Sequence, residues 1–194
     1  MGMEFTPQQI VYGSWILFGL YWLVSAFRVK KTEKRELPAE RFAHMIMMAA
    51  GYIFLFQPND AWGVLNQRFL PHGSWIARLG AGITLAGVLF AIWARWNLGK
   101  NWSAAVTIKQ GHQIIRAGPY AHIRHPIYTG MLTAVMGSAL TAGEYRGVLG
   151  FAIILFGFYR KAHKEEAFLA ANFGEPFMAH KRRTGFFLPR FSWN

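Results

Sequence analysis

Two polar segments of an otherwise apolar chain, residues 101–128 and 159–173, hold the side chains whose types and spacing could do chemistry. The first contains Arg124-His125-Pro126, directly before an apolar stretch. The second contains Lys161 and Glu165, directly after one. We find no nucleophile and base at the spacing of a covalent mechanism. The pattern therefore favours a site that binds and aligns charged ligands.

His125 stands where a helix should begin. A Gly-Pro turn at residues 118–119 precedes it, and Pro126 has the residue type favoured at the first helical position. The first backbone N–H groups of that helix would be free, at the positive end of its dipole, and would suit an anion such as a carboxylate. The alternative is that His125 only caps the helix and Arg124 contacts lipid phosphates.

Lys161 and Glu165 lie four residues apart, so a continuing helix would put them on one face. Arg160 would be turned about 100° away from that face. Ionisable residues near the membrane boundary usually pair or line a polar cavity, so we predict that the shared face is directed at a pocket. A π-bulge would turn Arg160 inward instead. Two further alternatives are an ordinary solvated face and cations that snorkel to the interface.

Five apolar stretches must position these residues. A membrane-spanning helix needs about 20 apolar residues, and we predict spans over residues 10–27, 42–57, 76–96, 126–142 and 147–160. The second stretch contains His44 as its one ionisable residue. Because only four residues separate the last two stretches, they should form a tight helical hairpin.

Cations alternate along the connecting segments. Six Lys and Arg lie in 28–41, five in 95–125 and seven in 160–194, against one each in 57–75 and 143–146. By the positive-inside rule, the N-terminus is predicted outside and the C-terminus in the cytoplasm.

Composition separates this chain from several function classes. Hydrophobic residues make up 53% of it and charged residues 15%, against about 25% charged in soluble domains. The net charge of +12 could suggest nucleic acid, but such an apolar chain argues for a membrane protein and no nucleic-acid partner. With no cysteine and scattered histidines, we expect neither disulfides nor a metal site.

Small residues mark helix contacts within the predicted spans. Gly130, Ala134, Ser138 and Ala142 recur every four residues along the fourth span. Gly80, Gly82 and Gly87 lie in the third span. Such stripes are typical of closely packed membrane helices, so the two stripes predict close helix contacts rather than a ligand site.

The second half of the chain, roughly residues 97–190, resembles the isoprenylcysteine carboxyl methyltransferase family of integral-membrane enzymes. The matching pieces follow in the family's order and spacing. They are Asn101-Trp102-Ser103, Gly111 to Ile115, Gly118-Pro119-Tyr120, Arg124 to Gly130, Glu165-Glu166, Phe173-Gly174 and Thr184 to Pro189. The first two spans match that family only in hydropathy.

The resemblance implies an S-adenosylmethionine-dependent methyltransferase that releases S-adenosylhomocysteine and has its cofactor pocket on the cytoplasmic side. The implied cofactor contacts are His112, Gln113, Ile114, Ile115, Tyr120, His125, Pro126, Ile127, Tyr128 and Glu165.

The implied catalytic residues are Lys161, Arg160 and Glu165. The family holds its substrate with an Arg four residues before the Glu, and this chain has Lys161 there, beside Arg160. Because Arg grips a carboxylate with a planar fork whereas Lys is a point charge, the acceptor stays open between a prenylcysteine-like carboxylate, a phospholipid amine and a small thiol. The family also usually carries Tyr where this chain has Phe177 and His180.

We therefore expect one membrane-embedded domain over residues 1–194, all-α, with five transmembrane helices. A cytoplasmic C-terminal helical segment should complete the cofactor pocket, formed by about 101–130 and 159–190. The expected partners are the lipid bilayer and a lipophilic or small methyl acceptor, and the oligomeric state is open.

Two other functions are compatible with these residues. Membrane sterol reductases share an RHP-type helix start and use NADPH, whose 2′-phosphate Arg116 or Lys109 could meet. A non-catalytic scaffold of the same fold would bind no cofactor.

Overall fold

The computed structural model of the chain describes residues 4–26, 32–35, 38–58, 60–71, 75–99, 107–109 and 114–190. These ranges contain six α-helices, two short strands and two segments of 3₁₀ turns. The elements, in chain order, are α1 (Pro7–Ala26), β1 (Thr32–Arg35), α2 (Pro38–Phe56), 3₁₀ turns at Asp60–Asn66, α3 (Trp75–Leu98), β2 (Thr107–Lys109), a 3₁₀ turn at Gly118–Ala121, α4 (Pro126–Ala142), α5 (Tyr145–Phe173) and α6 (Glu175–Arg183).

The five predicted apolar stretches coincide with helices α1 to α5. By length and composition, α1 with 20 residues and α3 with 24 could cross a membrane. Helix α4 has 17 residues, at the short end of the spanning range. The fold is mainly α-helical and consistent with a membrane protein, and the count of five crossings stays a prediction.

Large apolar side chains cover the outward faces of these helices. Leu20 of α1, Ile46 of α2, Leu89 of α3 and Phe156 of α5 all have at least half of their surface exposed. Soluble proteins rarely expose apolar patches beyond a few hundred Å². Such faces are suited to contact with lipid rather than water.

Helices α3 and α4 approach each other so closely that their glycines leave no room for a side chain. A Cβ added to Gly87 would lie 2.5 Å from the Ala134 nitrogen, and one added to Gly130 would lie 2.6 Å from the Ala91 nitrogen. The predicted small-residue contact is therefore confirmed for this helix pair. Gly82 was assigned to the contact wrongly, because a Cβ there would meet open space.

The other helices pack around this pair. The Trp15 indole of α1 donates a hydrogen bond of 3.0 Å to the Ser138 hydroxyl of α4. Helix α2 packs along α5, where a Cβ at Gly51 would collide with the Ile154 side chain. Ile154 belongs to the buried core, together with Leu55, Leu132, Val135, Ala139 and Phe158.

The connections between helices sort to two ends of the bundle. At the ribbon end, defined by β1 and β2, the two strands pair antiparallel, with Arg35 opposite Thr107. At the turn end, defined by residues 60–71 and 143–144, the Phe69 amide donates to the Gly143 carbonyl at 3.0 Å. The described strands of the two cation-rich connections, β1 and β2, therefore lie together at the ribbon end.

The β ribbon departs from the all-α prediction. Its strands read TEKR and TIK, which are too short and too polar to show the period-two apolar pattern of a half-buried strand. The two strands can therefore be identified only from their backbone pairing in the structure, not from the sequence pattern.

Candidate functional site

The first turn of α4 is held in place by the end of the chain that follows α6. The Arg124 amide donates to the Gly185 carbonyl at 2.9 Å, and the His125 amide donates to the Phe186 carbonyl at 3.3 Å. The Thr129 hydroxyl donates to the Phe187 carbonyl at 2.6 Å. This backbone pairing gives the sequence around His125 a fixed orientation before any side chain is considered.

Arg124 points into the protein. Its Nε lies 2.5 Å from Glu166 Oε1, and its Nη1 donates to the carbonyls of Lys181 and Thr184. The Arg124 side chain is 11% exposed. The alternative in which Arg124 contacts lipid phosphates is therefore wrong, because its guanidinium joins α5 to α6 and the tail.

Three basic side chains contact the carboxylate of Glu166. Besides Arg124, Lys181 Nζ lies 2.7 Å from Oε2 and His125 Nε2 lies 3.3 Å from Oε1. Burial alone would raise the pKa of Glu166, but hydrogen bonds from His125, Lys181 and Arg124 hold it well below its usual range. The side chain therefore stays ionised although it is only 6% exposed.

Glu165 faces the other side of the His125 ring. Its Oε2 lies 3.5 Å from His125 Nδ1, and its Oε1 accepts a hydrogen bond of 2.6 Å from the Tyr128 hydroxyl. Burial alone would raise the pKa of Glu165, but His125, Lys161 and Tyr128 lower it. With 21% of its side chain exposed, Glu165 is an ionised carboxylate that a ligand can reach.

His125 lies between these two carboxylates. Burial alone would lower the pKa of its imidazole, but hydrogen bonds and attraction from Glu165 and Glu166 raise it. The ring lies parallel to that of Tyr128, at 5.6 Å between centroids. The His125 side chain makes no capping hydrogen bond to α4, so the capping role is wrong. The arrangement favours an imidazolium fixed at the start of α4.

The side chains of Lys161 and Arg160 point to different parts of the structure. Helix α5 is α-helical throughout Tyr145–Phe173, so no π-bulge shifts the register. Lys161 Nζ lies 5.8 Å from the centre of the Tyr128 ring, on the side of Glu165. Arg160 is exposed, and its Nη1 lies 3.7 Å from Met47 Sδ of α2. The roles of both cations in substrate binding stay predictions.

The other predicted cofactor contacts are buried or half-buried near the start of α4, or they lie outside the described residues. Pro126 and Ile127 are buried at the start of α4. Tyr120 packs with Ile127 in a core cluster that also contacts Ile115. Ile114 is half-buried. His112 and Gln113 lie outside the described residues.

Sequence reasoning missed the ion pairs of Arg124 and Glu166 and the role of the tail phenylalanines. Phe186 packs edge-on to His125 at 5.0 Å between centroids, and Phe187 at 6.1 Å. Both phenylalanines belong to a piece that carries the resemblance, but no spacing rule relates residues of the tail to the start of α4. Among the residues the structure describes, no group of three or more metal-ligating side chains is close enough to hold an ion.

The sequence of this chain is similar to those of several known proteins. The model of the isoprenylcysteine carboxyl methyltransferase family matches residues 80–171. Protein-S-isoprenylcysteine O-methyltransferase of Schizosaccharomyces pombe is 28% identical over 88 residues, which are 44% of this chain and 37% of that protein. Its counterpart from Rattus norvegicus is 27% identical over 135 residues, 68% of this chain and 45% of that protein.

A protein of different name matches as well. The cobalt-zinc-cadmium resistance protein CzcN of Cupriavidus metallidurans is 31% identical over 123 residues, which are 62% of this chain and 54% of that protein. The chain thus spans about half the length of the curated relatives it matches. The family match covers most of α3, all of α4 and nearly all of α5, and leaves α1, α2 and α6 outside. Over residues 80–171, this chain is similar to the isoprenylcysteine carboxyl methyltransferase family.

Proposed function

We propose that this protein is an S-adenosylmethionine-dependent methyltransferase that methylates a lipophilic acceptor at the membrane surface. An isoprenylcysteine-like carboxylate is the proposed acceptor. The family match over residues 80–171 supports the reaction class. The observation that carries the proposed site is Glu165, an ionised and partly exposed carboxylate between His125 and Tyr128 at the start of α4.

The residues present fit the chemical groups of the cofactor. Glu165 can accept hydrogen bonds from the ammonium group or from the ribose hydroxyls. The His125 imidazolium and the positive end of α4 complement the carboxylate. Apolar surface for the adenine comes from Ile114 and Ile115, which are half-buried before that helix. The cofactor contacts predicted at His112 and Gln113 belong to the same proposal.

Bound here, the cofactor supplies a methyl group on a sulfonium centre with a good leaving group. Glu165 and His125 would hold the cofactor, and transfer of its methyl group would need an acceptor oxygen aligned with the methyl carbon on the side opposite sulfur. A carboxylate acceptor is already ionised, so no residue has to remove a proton. The protein's task is alignment and exclusion of water. We assign the alignment of the acceptor to Lys161, with Arg160 as its alternative.

We further propose that α1 to α5 all cross the membrane and that the ribbon end faces the cytoplasm. The positive-inside rule supports this orientation, because the cation-rich connections lie at that end. The comparisons give no support to the NADPH-dependent reductase or the scaffold.

The test measures binding and turnover separately on the protein in nanodiscs. Isothermal titration should detect S-adenosylhomocysteine and no NADPH. Radiolabelled methyl from S-adenosylmethionine should appear in a farnesylated N-acetylcysteine and be absent from its methyl ester. His125→Ala and Glu165→Ala should each lose most of the S-adenosylhomocysteine binding while the protein stays folded. Binding of NADPH instead, or no binding of either ligand, would contradict the proposal.

A further inference from the structure

The tail, residues 184–190 after α6, lies against the start of α4 and has an outer surface that the candidate site does not use. The Gly185 amide donates to the His122 carbonyl at 2.9 Å, and the Phe187 carbonyl accepts a hydrogen bond of 2.6 Å from the Thr129 hydroxyl. Because Thr129 is the fourth residue of α4, the tail reaches the level at which this helix begins. With α4 crossing the membrane as proposed above, the tail lies at the membrane surface of the ribbon end.

A close backbone approach folds the tail back on itself. A Cβ at Gly185 would collide with the Leu188 carbonyl oxygen and would lie 2.9 Å from the Arg190 nitrogen, so this turn needs a glycine. Phe186 and Phe187 then pack on the imidazole of the candidate site, whereas the Leu188 side chain is 75% exposed. The tail thus has one face packed on the site and one face directed outwards.

Three arginines lie near this outer face. Arg190 follows Leu188 by two residues, and its Nη1 donates to the Arg182 carbonyl at 2.9 Å. This hydrogen bond brings the end of the tail next to the last turn of α6. Arg182, Arg183 and Arg190 are all exposed, so their guanidinium groups can be reached from outside the protein.

Two of these arginines are available for an external anion. Arg182 pairs with Glu175, the acidic residue of the same helix, and Lys181 is directed at the buried carboxylate of the candidate site. Within the part of the chain that the structure describes, Arg183 and Arg190 form no ion pair. Because a guanidinium has five donors, Arg190 keeps donors besides the one that bonds to the α6 carbonyl.

An exposed leucine beside exposed arginines fits the boundary of a lipid bilayer. The leucine can enter the apolar side of the interface, while the guanidinium groups form charge-assisted hydrogen bonds with phosphate oxygens. A soluble anion such as inorganic phosphate would leave Leu188 in water, so the combination favours a lipid. Anionic phospholipids add a net negative charge, to which each Lys or Arg near the membrane surface is attracted.

We propose that Leu188, Arg183 and Arg190 bind anionic phospholipids at the membrane surface, and that this contact holds the tail against α4. A partner that binds only the docked tail stabilises the docked state. Because the same tail packs on His125, anionic lipid would also strengthen cofactor binding. The lipid contact rests on the proposed membrane crossing of α4, and its effect on the cofactor rests on the proposed function.

The direct test measures lipid binding without the reaction. The protein in dodecyl maltoside is titrated with dioctanoyl phosphatidylglycerol, with dioctanoyl phosphatidylcholine as the neutral comparison. Wild type should bind phosphatidylglycerol about tenfold or more tightly, and Arg183→Gln and Arg190→Gln should each reduce this preference about fivefold, the contribution expected of one cation near an anionic surface. Arg183→Lys should keep most of the preference because it keeps the charge. Arg78→Gln, at an exposed position near the turn end of α3, is the matched control and should change nothing.

Hydrogen exchange in nanodiscs tests whether the lipid holds the tail. The amides of residues 185–190 should exchange more slowly in discs of phosphatidylcholine mixed with phosphatidylglycerol than in phosphatidylcholine alone. Arg183→Gln should remove most of this slowing, and Leu188→Ser should weaken it although every charge stays in place. The Kd for S-adenosylhomocysteine should be lower in the mixed discs, and Arg183→Gln should remove that difference.

Wild-type preference for phosphatidylglycerol in both arginine variants, or equal exchange of the tail in the two kinds of disc, would overturn the inference and leave the proposed function standing. Competition by inorganic phosphate as strong as that by phosphatidylglycerol would overturn the assignment to a lipid. A protein that binds phosphatidylglycerol through these arginines, but neither binds S-adenosylhomocysteine nor transfers a methyl group, would overturn the proposed function alone.

Discussion

Glu166 binds Arg124, Lys181 and His125 at once, and these partners come from two segments, the start of α4 and α6. Arg124 precedes α4, Glu166 lies in α5 and Lys181 in α6. The carboxylate thus fixes α4, α5 and α6 relative to one another. Neighbouring Glu165 makes fewer contacts and is more exposed. Of two adjacent glutamates, one stabilises the site and the other is left to bind a ligand.

Glu166→Gln should therefore destabilise the protein, whereas Glu165→Gln should mainly remove cofactor binding. Removing one partner of a buried ion pair leaves the other charge uncompensated, at a cost of roughly 3 kcal/mol. Unfolding in detergent micelles, followed by tryptophan fluorescence, measures the first effect, and S-adenosylhomocysteine titration measures the second. Equal stability of the two variants would show that Arg124 does not depend on Glu166.

The pH dependence of stability should reveal the charged state of His125. Its pKa is raised by Glu165 and Glu166 from an ordinary value of 6.5. Its contribution is therefore complete below pH 6.5 and is lost as the pH rises through the raised pKa. The Tm advantage of wild type over His125→Gln should shrink as the pH increases from 6.5 to 9. An advantage that stays constant over this range would mean that the imidazole is neutral in the fold.

At low pH, the stability contribution of Glu166 should decrease as the pH falls, whereas that of His125 decreases as the pH rises. The pKa of Glu166 is lowered from an ordinary value of 4.5, so its contribution is present above pH 4.5 and is lost as the pH falls through the lowered pKa. Lys181 and Arg124 are its ion-pair partners. The cluster is thus fully stabilising between about pH 4.5 and 6.5.

The two cations of α5 should differ in kinetic effect. Lys161→Ala should cripple turnover and leave the S-adenosylhomocysteine Kd nearly unchanged, because Lys161 lies on the side of Tyr128 and Glu165. Arg160→Ala should change turnover little, because its side chain is exposed beside Met47. Steady-state kinetics with cofactor affinity measured separately distinguishes the two. Wild-type turnover in both variants would remove any cationic residue of α5 from acceptor binding.

Sequence reasoning predicted the residues of this site better than their partners. The RHP sequence and the Glu165 position marked side chains that the structure brings within hydrogen-bond distance, because the family resemblance relates distant segments. The pairing of Arg124 with Glu166 spans 42 positions, and helix periodicity relates only residues three or four apart. His44 was visible as one ionisable residue in an apolar stretch, but nothing in α2 alone indicates that Gly157 faces it.

Among the elements, α3 and α4 form the most intimate contact. Glycines at 80, 87, 130 and 137 let the two backbones approach, and the Thr84 hydroxyl donates to the Ala134 carbonyl at 3.3 Å. Close backbone approach is a common source of helix association in lipid, where apolar burial gives little advantage. The pair forms the rigid support from which the start of α4 presents His125.

A side chain at Gly87 should disrupt this support. Gly87→Leu would place Cβ against the Ala134 backbone, which cannot yield as a flexible side chain does. Overpacking of this kind costs about 1–3 kcal/mol or more, so the variant should lower Tm and the yield of monodisperse protein. Gly82→Leu is the matched control, because a Cβ there meets open space. Equal Tm in both variants would contradict the packing.

Element boundaries were predictable where apolar runs define them and not where packing does. The fourth predicted span coincides with α4 over residues 126–142. The fifth was placed at 147–160, whereas α5 continues to Phe173. Its polar extension keeps Lys161, Glu165 and Glu166 on helical spacing, so that they meet the start of α4. Hydropathy alone cannot predict such a continuation, because contacts with α6 and the tail stabilise it.

At the scale of the molecule, segments far apart in sequence meet at each end of the bundle. The Arg95 guanidinium at the end of α3 donates to the Ser25 carbonyl of α1 at 3.0 Å, near the ribbon end. At the turn end, Arg68 Nη1 donates to the Ala142 carbonyl at 2.5 Å. The candidate site also lies towards the ribbon end. The cationic connections and the candidate site therefore lie at the same end of an apolar helix bundle.

Because the cations are distributed unequally between the two ends of the bundle, the orientation of the protein in the membrane can be tested. The connections 28–41 and 95–125 and the segment 160–194 carry six, five and seven Lys and Arg, against one in the 57–75 connection. Since cationic connections stay in the cytoplasm, a reporter fused after Asn194 should be active only in the cytoplasm. A reporter inserted between residues 57 and 75 should be active only outside.

Charge neutralisation supplies the control for that experiment, because orientation by the positive-inside rule depends on the cations themselves. Replacing the Lys and Arg of 28–41 by Gln should reduce the fraction of molecules in the proposed orientation, while equal replacements of neutral residues by Gln should not. A reporter after Asn194 that is active outside would invert the topology. The candidate site would then face away from the cytoplasm and its supply of S-adenosylmethionine, so the proposed reaction would lose its methyl donor together with its orientation.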